Sequence, residues 1–317
     1  MENLRVGVCR AAWLMALAAG LVTGAASAQG PTPVPARSGT TNGWAKAAPD
    51  VEGAVRSGKP LVVEVFVPLC SDSKGGPCGK HKGAGEPENL EDNLYWGAVW
   101  GARRYFVRSW LGWQKLEQSA GSGSVLERIV LSREVSGSAW GTSGRVEQIV
   151  VMHAYHGDAG KEAFDRFRDR AKGGGSVSFG GSAGARSESV SVVGFMGRNP
   201  LLKNGKVPPR ADLPKGTESA GAIPSFSIAA HSRETFGPWL AATGSPILIA
   251  PRGAVASEAY VLNEVLKGIG DNEHTWRIWQ DVVDTYVKYQ RVPRELAKVY
   301  WAPFLPKTFT TPARRRP

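Results

Sequence analysis

The chain has 317 residues, 42% of them hydrophobic and 21% charged, and a formal net charge of +11. That length fits one large domain or two small ones, and no run beyond the N-terminus is apolar for the roughly 20 residues a membrane span needs, which excludes a spanning mature chain. The positive balance is a long-range bias towards acidic surfaces such as lipid headgroups, polyanionic glycans or nucleic acid.

The chain opens as an export signal. Arg5 and Arg10 form a basic start, residues 11–22 an apolar core, and Ala26-Ser27-Ala28 a small-residue cleavage site, so the mature chain is expected from Gln29. The 39 basic residues less Arg5 and Arg10, against the 28 acidic residues less Glu2, leave a net of +10. These charges are spread out apart from Arg314-Arg315-Arg316, so a solvated basic surface is expected and nucleic acid is not the expected partner. The organisation read from composition is 1–28 signal peptide, 29–50 flexible lead-in, 51–302 a single α/β domain and 303–317 a basic extended tail.

Residues 61–67, mostly apolar and β-branched, predict a strand buried on both faces. A long Gly/Pro/Glu-rich loop, 68–93, leaves it. It holds Cys70 and Cys78, the two cysteines that remain once Cys9 leaves with the signal. An exported chain with an even count invites a bridge, and two unpaired thiols stay open as the alternative. With His81 nearby they fall short of the usual four zinc ligands, and no metal or cofactor is expected. Asn93 then caps an expected helix over 94–109, with Trp96 and Trp100 on one face and Arg103, Arg104 and Arg108 in its last turns.

Strands are expected at 125–133 and 145–153, and a charged helix at 161–172 with Phe164 and Phe167 on one side. Residues 173–184 are a Gly/Ser tract expected as a loop. Strands follow at 190–196, 225–230 and 246–250, then helices at 257–267 and 273–290 with helical spacing of Trp276, Trp279, Val283 and Tyr286. Strands separated by helices predict a three-layer α/β sandwich with a mainly parallel sheet. No nucleotide motif is complete: Gly157-Asp158-Ala159-Gly160-Lys161-Glu162 lacks the first glycine and the Ser/Thr of a phosphate loop. His153 and His156, three apart at a strand end, point to different sides, which argues against joint metal ligation.

Several pieces carry a resemblance in order: Phe66-Val67-Pro68-Leu69-Cys70, Asn93-Leu94-Tyr95-Trp96-Gly97-Ala98, Val125-Leu126-Glu127-Arg128, Ala154-Tyr155-His156-Gly157, Gly194-Phe195-Met196-Gly197-Arg198-Asn199, Ala229-Ala230-His231-Ser232-Arg233, Ser257-Glu258-Ala259-Tyr260-Val261-Leu262 and Tyr286-Val287-Lys288-Tyr289-Gln290. Together they cover most of the mature chain. With them it resembles a group of bacterial proteins whose fold is similar to that of the caspase–legumain superfamily of cysteine peptidases. That resemblance implies a catalytic histidine after one strand and a cysteine after the next. This chain departs at both places, with Arg198 in Gly197-Arg198-Asn199 and Ala230 in Ala229-Ala230. Arg198 cannot act as a base, because a guanidinium stays protonated, and Ala230 has no nucleophilic atom.

The resemblance thus implies an exported, caspase-like-fold protein with a degenerate catalytic dyad, working as a non-catalytic binding or regulatory module. Its cleft would be lined by Arg198, Asn199, His231, Ser232 and Arg233 and would take an anionic peptide, glycan or small ligand. Two alternatives are carried. One is a hydrolase with relocated groups, using His231 with Ser232, or Cys70. The other is an envelope adhesion or assembly protein anchored through the basic tail.

Overall fold

The computed structural model describes residues 43–73, 78–180 and 184–302. The expected signal peptide and basic tail lie outside the described residues. A seven-stranded mixed sheet runs in the order β2-β3-β4-β1-β7-β8-β9. Its strands are β1 (Leu61–Pro68), β2 (Gln114–Ala120), β3 (Val125–Ser136), β4 (Arg145–Tyr155), β7 (Val192–Met196), β8 (Ser225–Ile228) and β9 (Ile247–Ile249). The five strands β4, β1, β7, β8 and β9 are parallel, and β3 and β2 extend the β4 side antiparallel. β5 (Ser176–Phe179) and β6 (Arg186–Ser189) pair as a separate hairpin.

Helices cover both faces. The side chains of Leu61, Val63, Val65 and Val67 share a core with Leu262, Val265 and Leu266 of α6 (Ala259–Gly270) and Ile278 and Val282 of α7 (Thr275–Gln290). On the other face Phe66, Val193 and Phe195 pack on Phe164 and Phe167 of α3 (Gly160–Gly173) and on Leu240 of α5 (Gly237–Thr243). Alternate side chains of a strand point to opposite faces, so a run apolar at almost every position, as in β1, needs helices on both sides. The exception in that run is Glu64, 3% exposed, which faces α3.

The structure departs from the sequence expectation in several places. The flexible lead-in was expected through residue 50, yet Trp44 is buried against Trp140 and its Nε1 donates to the carbonyl of Ile269 at 3.0 Å. α1 (Pro49–Arg56) follows at once, with proline at its first turn, where no backbone N–H is missed. The helix expected over 94–109 shrinks to α2 (Ala102–Phe106), and 94–101 form turns. The Gly/Ser tract expected as a loop carries β5, whose Val177 and Phe179 are buried between exposed serines. β2 has no apolar alternation and is mostly exposed. α4 (Ser232–Thr235), α5 and α8 (Arg294–Tyr300) are short α-helices, and short 3-10 turns lie between the larger elements. Among the described residues no helix is long and apolar enough to cross a membrane.

Candidate functional site at the sheet edge

Parallel strands deliver their C-terminal ends to one edge, where open α/β sheets place ligand sites. The chain reverses its direction of winding between β1 and β7, so the exits of these two strands flank the switch point. β1 leads into Leu69, Cys70 and Ser71, and β7 leads into Gly197, Arg198 and Asn199. Met196 pairs with Ile228, which puts Arg198 and Ala230 each two residues beyond a paired position on neighbouring strands.

Gly197 has a φ of 147°, and a Cβ there would stand 3.1 Å from the carbonyl oxygen of Pro68, so glycine lets the β7 exit pass close to the β1 exit. Arg198 then reaches back across that gap. Its Nη1 donates to the carbonyl of Ser71 at 3.0 Å and its Nη2 lies 3.5 Å from Cys78 Sγ. The Tyr95 hydroxyl also meets this guanidinium; burial pushes that hydroxyl above the ordinary tyrosine range, with Arg198 pulling the other way.

Cys70 and Cys78 are joined in a disulfide, with Cα atoms 5.9 Å apart, so neither carries a thiolate while the bridge stands. The pair closes a loop of eight-residue separation. Asn93 fixes its root: Oδ1 accepts from the Cys70 N–H at 2.9 Å and from the Tyr95 N–H at 3.2 Å, while Nδ2 donates to the carbonyls of Cys70 at 2.8 Å and Glu86 at 2.9 Å. Asn93 is therefore a strap rather than the helix cap its spacing suggested. Replacing both cysteines with serine should lower stability by about 2–3 kcal/mol, the chain-entropy value for so short a loop. Urea unfolding with and without reductant reads this, and reductant should leave the double variant unaffected.

The other expected cleft residues divide by role. Asn199 is 3% exposed, and its Nδ2 donates to the Ala230 carbonyl at 2.7 Å and to Thr235 Oγ1 at 2.8 Å, tying the β7 exit to the β8 exit. His231 adopts a left-handed backbone, φ 56°, and its carbonyl receives Thr235 N–H and Oγ1 as α4 begins. Ser232 is fully buried and its Oγ has no hydrogen-bond partner, so His231 does not hold it as a base would hold a nucleophile. Arg233 Nη1 donates to the Ala302 carbonyl at 3.0 Å.

Of the five, Arg233 lines the first of two open clefts among the described residues. That cleft, about 440 Å³, lies between residues 207–213 and the start of α5, with Arg210, Glu234, Val207, Leu213 and Pro238 in its walls. Burial pushes the Glu234 carboxyl up from its ordinary range, and Arg252 Nε stands 3.4 Å from it. A second cleft of about 450 Å³ lies over the β1 and β4 exits. There Asp158 accepts from the hydroxyls of Ser71 and Ser73, each at 2.7 Å. His81 and His156, near this second cleft, are engaged with backbone: His81 Nε2 lies 2.8 Å from the Asp92 carbonyl, and His156 Nδ1 accepts the Asp158 N–H at 3.2 Å.

One cluster escaped the sequence reading. Glu64 lies beneath α3 with His153 Nε2 at 3.0 Å and Arg170 Nε at 2.5 Å from its two oxygens. Burial would raise its carboxyl, but the hydrogen bond and charge of His153 and the charge of Arg170 hold it below the ordinary range. A glutamate inside an otherwise apolar strand was the signal that could have found it, because a buried carboxylate demands partners.

Comparison of the chain with protein-family models, curated proteins and solved structures gives no match.

Proposed function

We propose that this protein is an exported, non-catalytic binding module with a three-layer, caspase–legumain-like fold, whose sheet edge has exchanged a peptidase dyad for a structural lock. The observation that carries this reading is Arg198. At the position where the resemblance implies a catalytic histidine, a guanidinium is spent on the Ser71 carbonyl and the Cys78 sulfur. Ala230 stands at the implied cysteine position, and its carbonyl is held by Asn199. The strand order and the adjacency of the β7 and β8 exits support the caspase-like reading.

The ligand site in this reading is the cleft beside Arg233. Arg210 and Arg233 supply positive charge, and Val207, Pro208, Leu213 and Pro238 supply apolar wall. Such a lining suits a peptide terminus whose carboxylate follows an apolar side chain. Turnover of a peptide and ester panel should stay at background, with no change in the H231A/S232A variant. A peptide ending in an apolar residue and a free carboxylate should bind, more weakly as salt rises. R210Q should weaken it about tenfold, the value of one charge-assisted hydrogen bond. Turnover abolished by H231A/S232A, or peptide binding indifferent to R210Q and salt, would overturn the proposal.

A further inference from the structure

α2 and the turn after it present an apolar and basic face that the sheet-edge site does not use. Trp110 is 66% exposed, and Val99 and Val107 are 48% exposed each. Isolated exposed apolar side chains are ordinary, but these three gather around one residue, Arg108. Val107 caps the C-terminus of α2, Trp110 lies in the 3-10 turn Ser109–Leu111 that follows, and Arg108 Nη2 donates to the Val99 carbonyl at 2.5 Å, which draws Val99 towards them.

The face is held rigid from beneath. Trp110 meets the buried Tyr105 ring edge-on at 6.0 Å. The Arg108 guanidinium lies 5.3 Å from the Trp100 ring and 5.1 Å from the Tyr105 ring. Trp100 packs on Tyr289 at 5.0 Å, and Lys288 Nζ stands 5.3 Å over that ring. Arg104 is exposed four residues before Arg108. Nearby acids are already engaged: Glu91 pairs with Arg103 at 2.8 Å, and Glu264 Oε1 accepts from Asn263 Nδ2 at 3.3 Å.

An indole and two valines rimmed by cations match the boundary of an anionic bilayer, where apolar groups enter beside phosphates. A soluble polyanion would use the cations and leave the valines in water. We propose that this face docks on an anionic phospholipid surface, with Trp110 entering the interface and Arg104, Arg108 and Lys288 meeting headgroup phosphates. The chain's net charge of +11 adds long-range attraction to the same surface.

The test is sedimentation of the full chain with vesicles of phosphatidylglycerol and phosphatidylcholine, against vesicles of phosphatidylcholine alone and against a soluble sulfated glycan. The N-terminal segment and the basic tail are common to every protein compared, so the differences report this face. Binding should require the anionic lipid and fall as salt rises. W110S should weaken it about tenfold, and R104Q/K288Q about twenty-five-fold, near fivefold for each cation at the surface. These side chains are exposed, so thermal midpoints should be unchanged, and bromine-labelled lipid should quench the wild type more than W110S. Equal vesicle binding by both variants and the wild type overturns the proposal. So does binding to the glycan without binding to vesicles, which would assign the face to polysaccharide.

Discussion

Replacing Asn93 with aspartate should lower stability by about 3–5 kcal/mol and the thermal midpoint by roughly 10 °C. Asn93 is fully buried and uses both ends of its amide, taking N–H groups on Oδ1 and giving Nδ2 to the carbonyls of Cys70 and Glu86. Aspartate differs from asparagine by one atom, but that atom changes a double donor into an acceptor facing two carbonyl oxygens. N93A loses all four bonds, whereas N93D keeps the two accepted N–H bonds and sets a buried charge against the carbonyls, so both variants should be strongly destabilised at neutral pH. As pH falls the new carboxyl can protonate and donate once, so N93D should recover stability that N93A does not. Differential scanning fluorimetry of both variants from pH 7.5 to 4.5 reads this. Equal midpoints for N93D and wild type would remove Asn93 as the strap of the disulfide loop.

The strap also explains what sequence periodicity got wrong nearby. Trp96 and Trp100 keep helical spacing, and a helix through 94–109 follows from local pattern alone. In the fold, Asn93 is recruited by Cys70, which lies 23 residues earlier. Gly97 then lies so close to the backbone of Leu90 and Glu91 that an added Cβ would come within 2.2 Å of the Leu90 carbonyl oxygen. Turns result, and Trp96 is buried with its Nε1 donating to Glu127 at 2.5 Å. Tertiary contacts overrode a helical pattern, the commonest failure of local propensity.

Other elements were legible because their signal is local. β1, β4 and β7 are built on short, mostly apolar runs rich in valine, which two-sided burial suits. α3 and α7 carry their buried residues on one stripe. Val177 and Phe179 alternate with serines, a period of two that the surrounding glycines concealed. β2 is a polar edge strand, with Gln114, Lys115 and Gln118 exposed, and an edge that must repel other chains offers no apolar pattern to read. The site shows the same division. That Arg198 and Ala230 follow adjacent strands was readable from their order along the chain. That Arg198 would close on Ser71 and Cys78, 127 and 120 residues away, was not, because a long side chain can be assigned to a partner only after the strands are placed.

Another long-range partnership with a large energetic consequence lies at Glu64. R170M should cost about 3 kcal/mol, the low end for breaking a buried ion pair, since Arg170 keeps 24% of its side chain exposed while Glu64 keeps 3%. The variant leaves a carboxylate under α3 with His153 as its remaining close partner. The Glu64 carboxyl is held below its ordinary range in the folded protein, so its stabilising contribution is present above the unfolded value, near 4.5, and is lost as pH falls through the folded value. Wild type and R170M should therefore differ most at neutral pH and converge in acid, where a protonated Glu64 no longer needs the guanidinium. Removing both charges should recover much of the loss: an E64Q/R170M double variant buries no unpaired carboxylate, and apolar or neutral replacements of buried pairs are often near neutral in stability. Urea midpoints of the wild type, both single variants and the double variant form a cycle whose coupling energy isolates the pair. A double variant as unstable as the sum of the singles would mean that Arg170 acts through its bond to the Gly174 carbonyl at the end of α3, 2.9 Å long, and not through Glu64.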